Sequence, residues 1–242
     1  MAIPPSVVSA VPSVGMLRTS TTLLLLRHGQ SEWNAVRRWQ GSADTPLTSL
    51  GRQQALSAAD RLSGLDVDFC GPWSSDLGRA ASTASTIADA IGLGPTIVDR
   101  RLREASAGEW EGLTPHEIEV GYPGWLAAHR RPPSFEPFEQ VVIRAVDSLR
   151  SIAAGSRSDD VVPLVVTHSG VIRSLVRQLG ETDSRIPNLG GVWLTIDSID
   201  SITGDPSENV DAIDTTGIAV RDLFDPGGIV VSGVDIPGED PR

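Results

Sequence analysis

Two histidines in this chain each follow a short apolar run and lie close to a glycine. The segments are Leu23-Leu24-Leu25-Leu26-Arg27-His28-Gly29 and Leu164-Val165-Val166-Thr167-His168-Ser169-Gly170. Continuous apolar runs of this length are typical of buried parallel strands, whose carboxyl ends face the ligand crevice of an open α/β sheet. A lone histidine at such a place would more often only pack in the core. Because there are two, one beside Arg27, we expect both imidazoles to meet at one site.

The segments around these histidines alternate between strand and helix patterns. Strands are predicted near residues 67–70, 96–98, 161–167 and 191–196, and helices over 31–38, 48–63, 77–91, a stretch ending near 154, and 171–179. Residues 114–117 have the form of a capping box with proline at the first helical position. This alternation predicts a three-layer α/β/α sandwich with a mainly parallel sheet.

The 242 residues predict one sizeable domain with two flanking segments. Residues 1–20 contain three prolines and no cationic start, so we expect a disordered leader rather than a signal peptide. Either Met1 or Met16 could be the true start. The main domain is expected over 21–196, and residues 197–242 are expected to form an acidic extension. Its β-type runs, at 218–220 and 229–234, predict a hairpin or edge strands.

The net charge of -11 is concentrated near the carboxyl end. From Ile196 onward the chain has 11 acidic residues and two arginines, and the preceding part is nearly neutral. This disfavours nucleic-acid binding, which needs concentrated positive charge. No apolar run has the length of a membrane span. The single cysteine, Cys70, fits a reducing cytoplasm.

All 20 basic residues are arginine, and the chain has no lysine. A Walker-type phosphate loop and a lysine Schiff base both need a lysine, so both are excluded. Any bound anion must therefore be held largely by guanidinium groups, whose planar donor geometry matches phosphate and carboxylate.

Five segments in order resemble the histidine phosphatase superfamily, the phosphoglycerate-mutase-like proteins. They are LLLLRHGQSEWN from Leu23, SSDLGRAASTA from Ser74, LREASAGEWEG from Leu102, Glu136 with Arg144 eight residues later, and THSG from Thr167. The resemblance covers about two thirds of the chain, residues 22–179. It implies that the domain at 21–196 is a histidine phosphatase domain with a phosphoglycerate-mutase-like fold.

The resemblance and the chemistry of phosphate monoesters together assign roles to the matching residues. Attack on phosphorus needs a nucleophile and cationic donors for the non-bridging oxygens. His28 is the expected nucleophile, forming a phosphohistidine, with Gly29 providing a tight turn. Arg27 and Arg79 are expected to clamp the phosphoryl oxygens, and His168 to donate a further hydrogen bond.

Two further roles come from family positions. Asn34 matches a phosphate-contacting asparagine. Glu104 matches the proton donor, which would protonate the leaving alkoxide and later deprotonate the attacking water. Glu109 and Glu111 are competing carboxylates, more readily explained as solvated or supporting charges.

Residues near the predicted substrate side are weaker candidates. Arg130 and Arg131 precede a proline-rich loop where family members place substrate-binding groups. The nearby tryptophans are expected mainly to pack, although they could line the pocket mouth. His116, within the predicted capping box, and His129, in a helix-like stretch, are both expected on the surface.

Two departures from the family pattern bear on the reaction. Ser134-Phe135 stands where many family phosphatases have a Gly-Gly pair, so the shape of the substrate loop is left open. The stretch between Glu104 and Glu136 is short and lysine-free. Cofactor-dependent mutases of the superfamily have a longer insert there, with extra cations for a second phosphate.

These features favour a cytoplasmic phosphomonoesterase, a phosphoric monoester hydrolase of the histidine acid type, that needs neither metal nor cofactor. The expected partner is a small phosphorylated metabolite. A bisphosphate-dependent phosphoglycerate mutase and a catalytically inactive binding module are the alternatives. Substrate identity, homo-oligomerisation and the role of the acidic tail stay open.

Overall fold

The computed structural model describes residues 20–156, 161–197 and 213–225. Within these ranges six strands form one sheet in the order β3-β2-β4-β1-β5-β6. The strands are β1 (Ser20–Arg27), β2 (Asp68–Ser74), β3 (Ile97–Val98), β4 (Val161–Thr167), β5 (Gly191–Asp197) and β6 (Ile218–Phe224). The helices are α1 (Glu32–Ala35), α2 (Ser49–Ser63), α3 (Gly78–Ile91), α4 (Pro115–Gly121), α5 (Phe138–Gly155) and α6 (Ser169–Gln178).

Helices cover both faces of the sheet, which gives the expected three layers. Leu23 and Leu25 of β1 pack with α5 and α6 on one face. Leu24 and Leu26 pack with α2 and α3 on the other. Because β1 is buried on both faces, every position of its leucine run must be apolar rather than every second one.

The sheet is mixed in strand direction. β1 pairs in parallel with β4, and β2 pairs in parallel with β4 and β3. β5 runs antiparallel to β1, and β6 runs antiparallel to β5. The predicted parallel core is confirmed for β1 to β4. The sequence did not predict that β5 and β6 run antiparallel at one edge of the sheet, since the residues of a short apolar strand do not indicate its direction.

Some predicted boundaries and conformations were wrong. The helix predicted over 31–38 is the short α1, and Arg37 just beyond it has a positive φ of 58°. His129 was placed in a helix-like stretch, but its φ of 53° puts it in the left-handed region. The β-type run at 218–220 lies in β6, on the sheet edge. The run at 229–234 and the leader up to residue 19 lie outside the described residues.

None of the helices in the described ranges combines the length and the apolar character that a membrane crossing requires.

Candidate active site

The two predicted histidines meet at the carboxyl edge of the sheet. Arg27 of β1 is in register with Thr167 of β4, so His28 and His168 follow from adjacent strand ends. Their ring centroids lie 5.1 Å apart, with the ring planes at 62°. Both side chains are buried. The prediction that the two strand-His units converge is therefore confirmed.

The His28 ring is held in one orientation by its own backbone segment. Its Nδ1 lies 2.7 Å from the carbonyl oxygen of Gly29, so Nδ1 carries the hydrogen and donates it. This leaves the lone pair on Nε2 for attack. Burial, and then the charges of Arg79 and Arg27, hold the pKa of His28 well below its usual value. The imidazole is consequently neutral, as a nucleophile must be.

Gly29 is required for a reason other than the predicted tight turn. Its φ lies outside the left-handed region, so a turn does not demand glycine there. A Cβ at this position would lie 2.5 Å from the carbonyl oxygen of Gly51, in α2. Glycine therefore serves to let α2 approach the backbone next to His28.

Two arginines are fixed around the histidines by backbone carbonyls. Arg27 donates from Nη1 to the carbonyl of Ile186 at 2.9 Å. Arg79, at the start of α3, donates from Nη1 to Ala43 at 2.6 Å and from Nη2 to Gly41 at 2.9 Å. Burial lowers the pKa of Arg79 to about 10, which still leaves it charged near neutral pH.

Buried nitrogen atoms beside these cations lack hydrogen-bond partners in the described part of the chain. They are Nε of Arg79 and both ring nitrogens of His168. Buried polar atoms are normally paired, so unpaired ones at a cavity mark a place for a polar ligand. Burial, followed by the charge of Arg79, holds the pKa of His168 well below its usual value. Its neutral ring then has one nitrogen to donate.

Glu104 lies across the same cavity and carries the features of a proton donor. Its Oε1 accepts from the backbone nitrogen of Ala105 at 2.9 Å, and Oε2 accepts from that of Gly170 at 3.1 Å. Burial raises the pKa of Glu104 despite these hydrogen bonds and the nearby arginines. A Cβ on Gly170 would lie 2.3 Å from Oε1, so the His-Ser-Gly glycine makes room for the Glu104 carboxyl.

A buttress that sequence reasoning did not identify supports the Glu104 loop. Arg144 of α5 donates from Nη1 to the carbonyls of Arg101 (2.8 Å) and Arg103 (2.5 Å), and from Nη2 to that of Glu104 (3.2 Å). Glu136 pairs with the same guanidinium at 2.7 and 2.9 Å. The Glu136–Arg144 spacing noted in the sequence thus fixes the backbone that carries the acid.

Asn34 is buried and lines the cavity. Its Oδ1 accepts from the backbone nitrogen of Ser31 at 3.1 Å, and its own backbone nitrogen donates to Ser31 Oγ at 3.2 Å. This capping box fixes the orientation of the carboxamide, because Oδ1 is engaged in the cap.

The two competing carboxylates face away from the cavity. Glu109 is exposed and accepts from the Tyr122 hydroxyl at 2.8 Å. Oε1 of Glu111 accepts from the backbone nitrogens of Ser42 (2.8 Å) and Ala107 (3.2 Å). Glu111 therefore joins the loop that holds Arg79 to the loop that carries Glu104, a supporting position that only the fold reveals.

The cavity opens into a cleft of about 1420 Å³. Trp39 and Phe135 line one side, and Arg131 lies over them with its guanidinium 5.3 and 5.6 Å from their ring centroids. His129 also reaches the cleft from an exposed position, although it was expected to be an ordinary surface residue. Arg130 instead packs over Trp125, at 4.3 Å.

The described cleft contains more positive charge than the sequence argument allowed. Besides Arg27 and Arg79, five arginines line it: Arg38, Arg131, Arg173, Arg177 and Arg185. The expectation concerned only the short, lysine-free segment between Glu104 and Glu136, which contributes Arg131 to this lining. Three of the other arginines come from α6 and the loop that follows it.

Comparisons with known proteins agree with this geometry. The family model described as "Histidine phosphatase superfamily (branch 1)" matches residues 23–192. A glucosyl-3-phosphoglycerate phosphatase of Mycolicibacterium vanbaalenii is 34% identical over 204 residues, covering 78% of this chain and 89% of that protein. A probable phosphoglycerate mutase of Escherichia coli is 37% identical over 161 residues, covering 63% and 71%.

Solved structures show the same relationship. A mycobacterial glucosyl-3-phosphoglycerate phosphatase in complex with VO3 has a TM-score of 0.64 and 32% identity, and the match covers 72% of this chain and 92% of that one. The predicted phosphoglycerate-mutase-like fold and the predicted phosphomonoesterase activity are thereby confirmed. This chain belongs to branch 1 of the histidine phosphatase superfamily.

Proposed function

We propose that this cleft hydrolyses a small phosphorylated sugar metabolite through a phosphohistidine at His28. One observation carries the proposal. A neutral imidazole with a free Nε2, two fixed guanidinium groups and a carboxyl with a raised pKa all border a single cavity, and the ring centroid of a second imidazole, that of His168, lies 5.1 Å from the first. An inactive binding module would have no need of the protonated acid.

In the first step Nε2 of His28 attacks phosphorus while the bond from phosphorus to the ester oxygen breaks. Glu104 gives its proton to that oxygen, so the alcohol leaves neutral. Arg27, Arg79 and His168 hold the non-bridging oxygens, whose negative charge they stabilise as the geometry at phosphorus changes. Asn34 supplies a further polar contact to the same group.

In the second step water attacks the phosphohistidine. Glu104, now ionised, takes a proton from that water, the bond from phosphorus to nitrogen breaks, and inorganic phosphate leaves. The fixed arginines supply charge that a metal ion provides in other phosphatases. We therefore propose that the reaction needs neither metal nor cofactor.

The substrate class rests on the relatives and on the shape of the cleft. Some relatives are named for a glucosylated phosphoglycerate. Trp39 and Phe135 give this cleft an aromatic wall, and such faces suit the apolar side of a sugar ring. A sugar-containing phosphate ester is the proposed substrate. A cytoplasmic location, the absence of a nucleic-acid partner and homo-oligomer formation stay predictions.

A quench experiment tests the proposed intermediate. Enzyme mixed with labelled phosphate ester and denatured within a turnover should yield a phosphoprotein that is labile in acid and stable in base. The label should be absent from His28→Ala, while His116→Ala, which changes an exposed histidine in α4, should label as the wild type does. Label that persists in His28→Ala would assign the nucleophile to another residue.

A further inference from the structure

One stripe of helix α6 borders the cleft along its length. Its cleft-lining residues are Ser169, Gly170, Arg173, Ser174 and Arg177. Residues separated by four positions share a helix face. With a rise of 1.5 Å per residue, Arg173 lies about 6 Å and Arg177 about 12 Å further along the axis than Ser169. Because α6 begins directly after His168, this stripe leads away from the phosphate pocket.

The loop after α6 lies against this stripe and fixes its arginines. Asp183 accepts from Nε of Arg173 at 2.7 Å and from Nη2 at 2.9 Å, and also from Nη2 of Arg177 at 2.5 Å. The two guanidinium groups hold the pKa of Asp183 below its usual range, so it stays ionised. Arg173 is only 9% exposed. This end of the cleft is consequently preorganised.

Among the described residues that line this part of the cleft, arginines outnumber carboxylates. Arg173 and Arg177 both pair with Asp183, and Arg185 follows that carboxylate by two residues. Arg185 makes no ion pair or hydrogen bond with any residue in the described ranges. One arginine would suffice to attach the loop to the helix, so the guanidinium of Arg185 leaves positive charge facing the cleft.

Hydroxyl groups surround the same cluster. Ser174 of α6, and Thr182 and Ser184 of the loop, all line the cleft beside the arginines. Hydroxyls and guanidinium groups together are a donor set suited to the oxygens of an anion. The opposite wall, with Trp39 and Phe135, is aromatic.

We infer that this end of the cleft is a second anion subsite, which binds a carboxylate or phosphate group of the substrate remote from the phosphate that is hydrolysed. The inference rests on the proposed function. An axial offset of about 6 to 12 Å suits a phosphorylated sugar acid or a sugar bisphosphate better than the three-carbon frame of a phosphoglycerate.

The test compares sugar esters that differ in the second group. The substrates are glucose 6-phosphate, 6-phosphogluconate and fructose 1,6-bisphosphate, which add nothing, a carboxylate and a phosphate, respectively. The variant is Arg177→Gln combined with Arg185→Gln. The control is Arg61→Gln, which removes an exposed arginine of α2 in the opposite helical layer.

We expect the wild type to have a higher kcat/KM for at least one two-anion substrate than for glucose 6-phosphate. The preferred substrate identifies the second group as carboxylate or phosphate. In the double variant this ratio should fall about tenfold or more, mainly through KM, as expected for lost charge-assisted hydrogen bonds. The ratio should be preserved in Arg61→Gln.

If the wild-type kcat/KM for the two-anion substrates is about equal to that for glucose 6-phosphate, the inference is wrong. It is also wrong if the double variant has the same ratio of these kcat/KM values as the wild type, whatever happens to the absolute rates. If no ester is hydrolysed, the proposed function fails by itself. Calorimetric binding of 6-phosphogluconate and fructose 1,6-bisphosphate then measures the subsite directly, and equal affinities in wild type and double variant would eliminate it.

Discussion

Burial shifts the pKa values of His28 and Glu104, the proposed nucleophile and proton donor, in opposite directions. It lowers the pKa of His28, because the charged imidazolium loses its solvation. It raises the pKa of Glu104, because there the charged form that loses its solvation is the carboxylate. Burial at one cavity thus favours the neutral form of both groups, an unprotonated imidazole and a protonated carboxyl, although free glutamate loses its proton at a lower pH than free histidine.

These directions predict the shape of the pH profile of kcat/KM. His28 stays neutral down to a pH well below 6.5, so the fall of kcat/KM at acid pH should begin well below that value. Glu104 donates only while it is protonated, so activity should fall as pH rises through its raised pKa. In Glu104→Gln that alkaline limb should disappear, whereas a limb due to ionisation of the substrate remains. An identical alkaline limb in both enzymes would exclude Glu104 as its source.

Leaving-group dependence provides a second test of the acid. Glu104→Gln should lose about a hundredfold or more in the rate of phosphorylation by an alkyl phosphate, a typical contribution of a general acid. The loss should be smaller with p-nitrophenyl phosphate, since nitrophenolate leaves without a proton. Rapid quench measures this step for each ester. Glu109→Gln, an exposed carboxylate outside the cavity, is the matched control.

Equal losses for the two esters would show that Glu104 acts in some other way than by protonating the leaving group.

Among the elements, the loops between strands and helices fix the positions of the side chains that line the site. The loop at Gly41 and Ala43 holds Arg79, and the loop after Leu102 carries Glu104. Glu111 contacts both, through the backbone nitrogens of Ser42 and Ala107.

We therefore expect Glu111→Ala to weaken both the phosphate clamp and the acid. It should raise the inhibition constant of inorganic phosphate and lower kcat, and it should also shift the alkaline limb of the pH profile. Glu111→Gln, which keeps the acceptor oxygen, should restore most of kcat. Glu109→Ala is the control at the neighbouring acidic position. A loss of thermal stability with intact kinetics in Glu111→Ala would reduce Glu111 to a purely structural role.

The sequence predicted the elements that have a recognisable local pattern of residues. Leucine and valine runs identified β1 and β4, and the Thr114–Glu117 capping box marked the start of α4. Glu104 could be placed only by family resemblance, because it follows a short turn after β3 rather than an apolar run.

Other features could not be predicted because they depend on packing between distant segments. The approach of Gly51 to Gly29, the Arg144 buttress and the arginines of α6 on the cleft all join parts of the chain far apart in sequence. The antiparallel direction of β5 also depends on packing between distant segments. The chain after α6 returns to the carboxyl end of β1, where Gly191 pairs with Leu26, and runs back from there.

At the scale of the whole molecule, the fold determines whether the phosphoryl group of the phosphohistidine is transferred to water or back to a substrate. The relatives include proteins named as phosphatases and as a probable mutase. A mutase has to protect its phosphohistidine from water until the group is handed back, whereas a phosphatase admits water quickly. The wide cleft leads directly to His28.

We predict that inorganic phosphate is the dominant product from monophosphate esters without any added bisphosphate. The rate should be the same in the presence of EDTA, since arginines supply the positive charge. Phosphate release and the interconversion of 3- and 2-phosphoglycerate should be followed in the same reaction mixture. Interconversion much faster than release would make the protein a mutase.

The aromatic wall described for the cleft has an optical consequence. The Arg131 guanidinium lies 5.3 Å from the ring centroids of both Trp39 and Trp110, and a cation this close to an indole alters its emission. An anionic ligand that draws Arg131 toward itself would change that emission without any chemical step. Trp39, which lines the cleft, is one of six tryptophans in the chain, so we expect ligand binding to change part of the total emission. That change should be measurable in the unlabelled enzyme, including variants that no longer turn over.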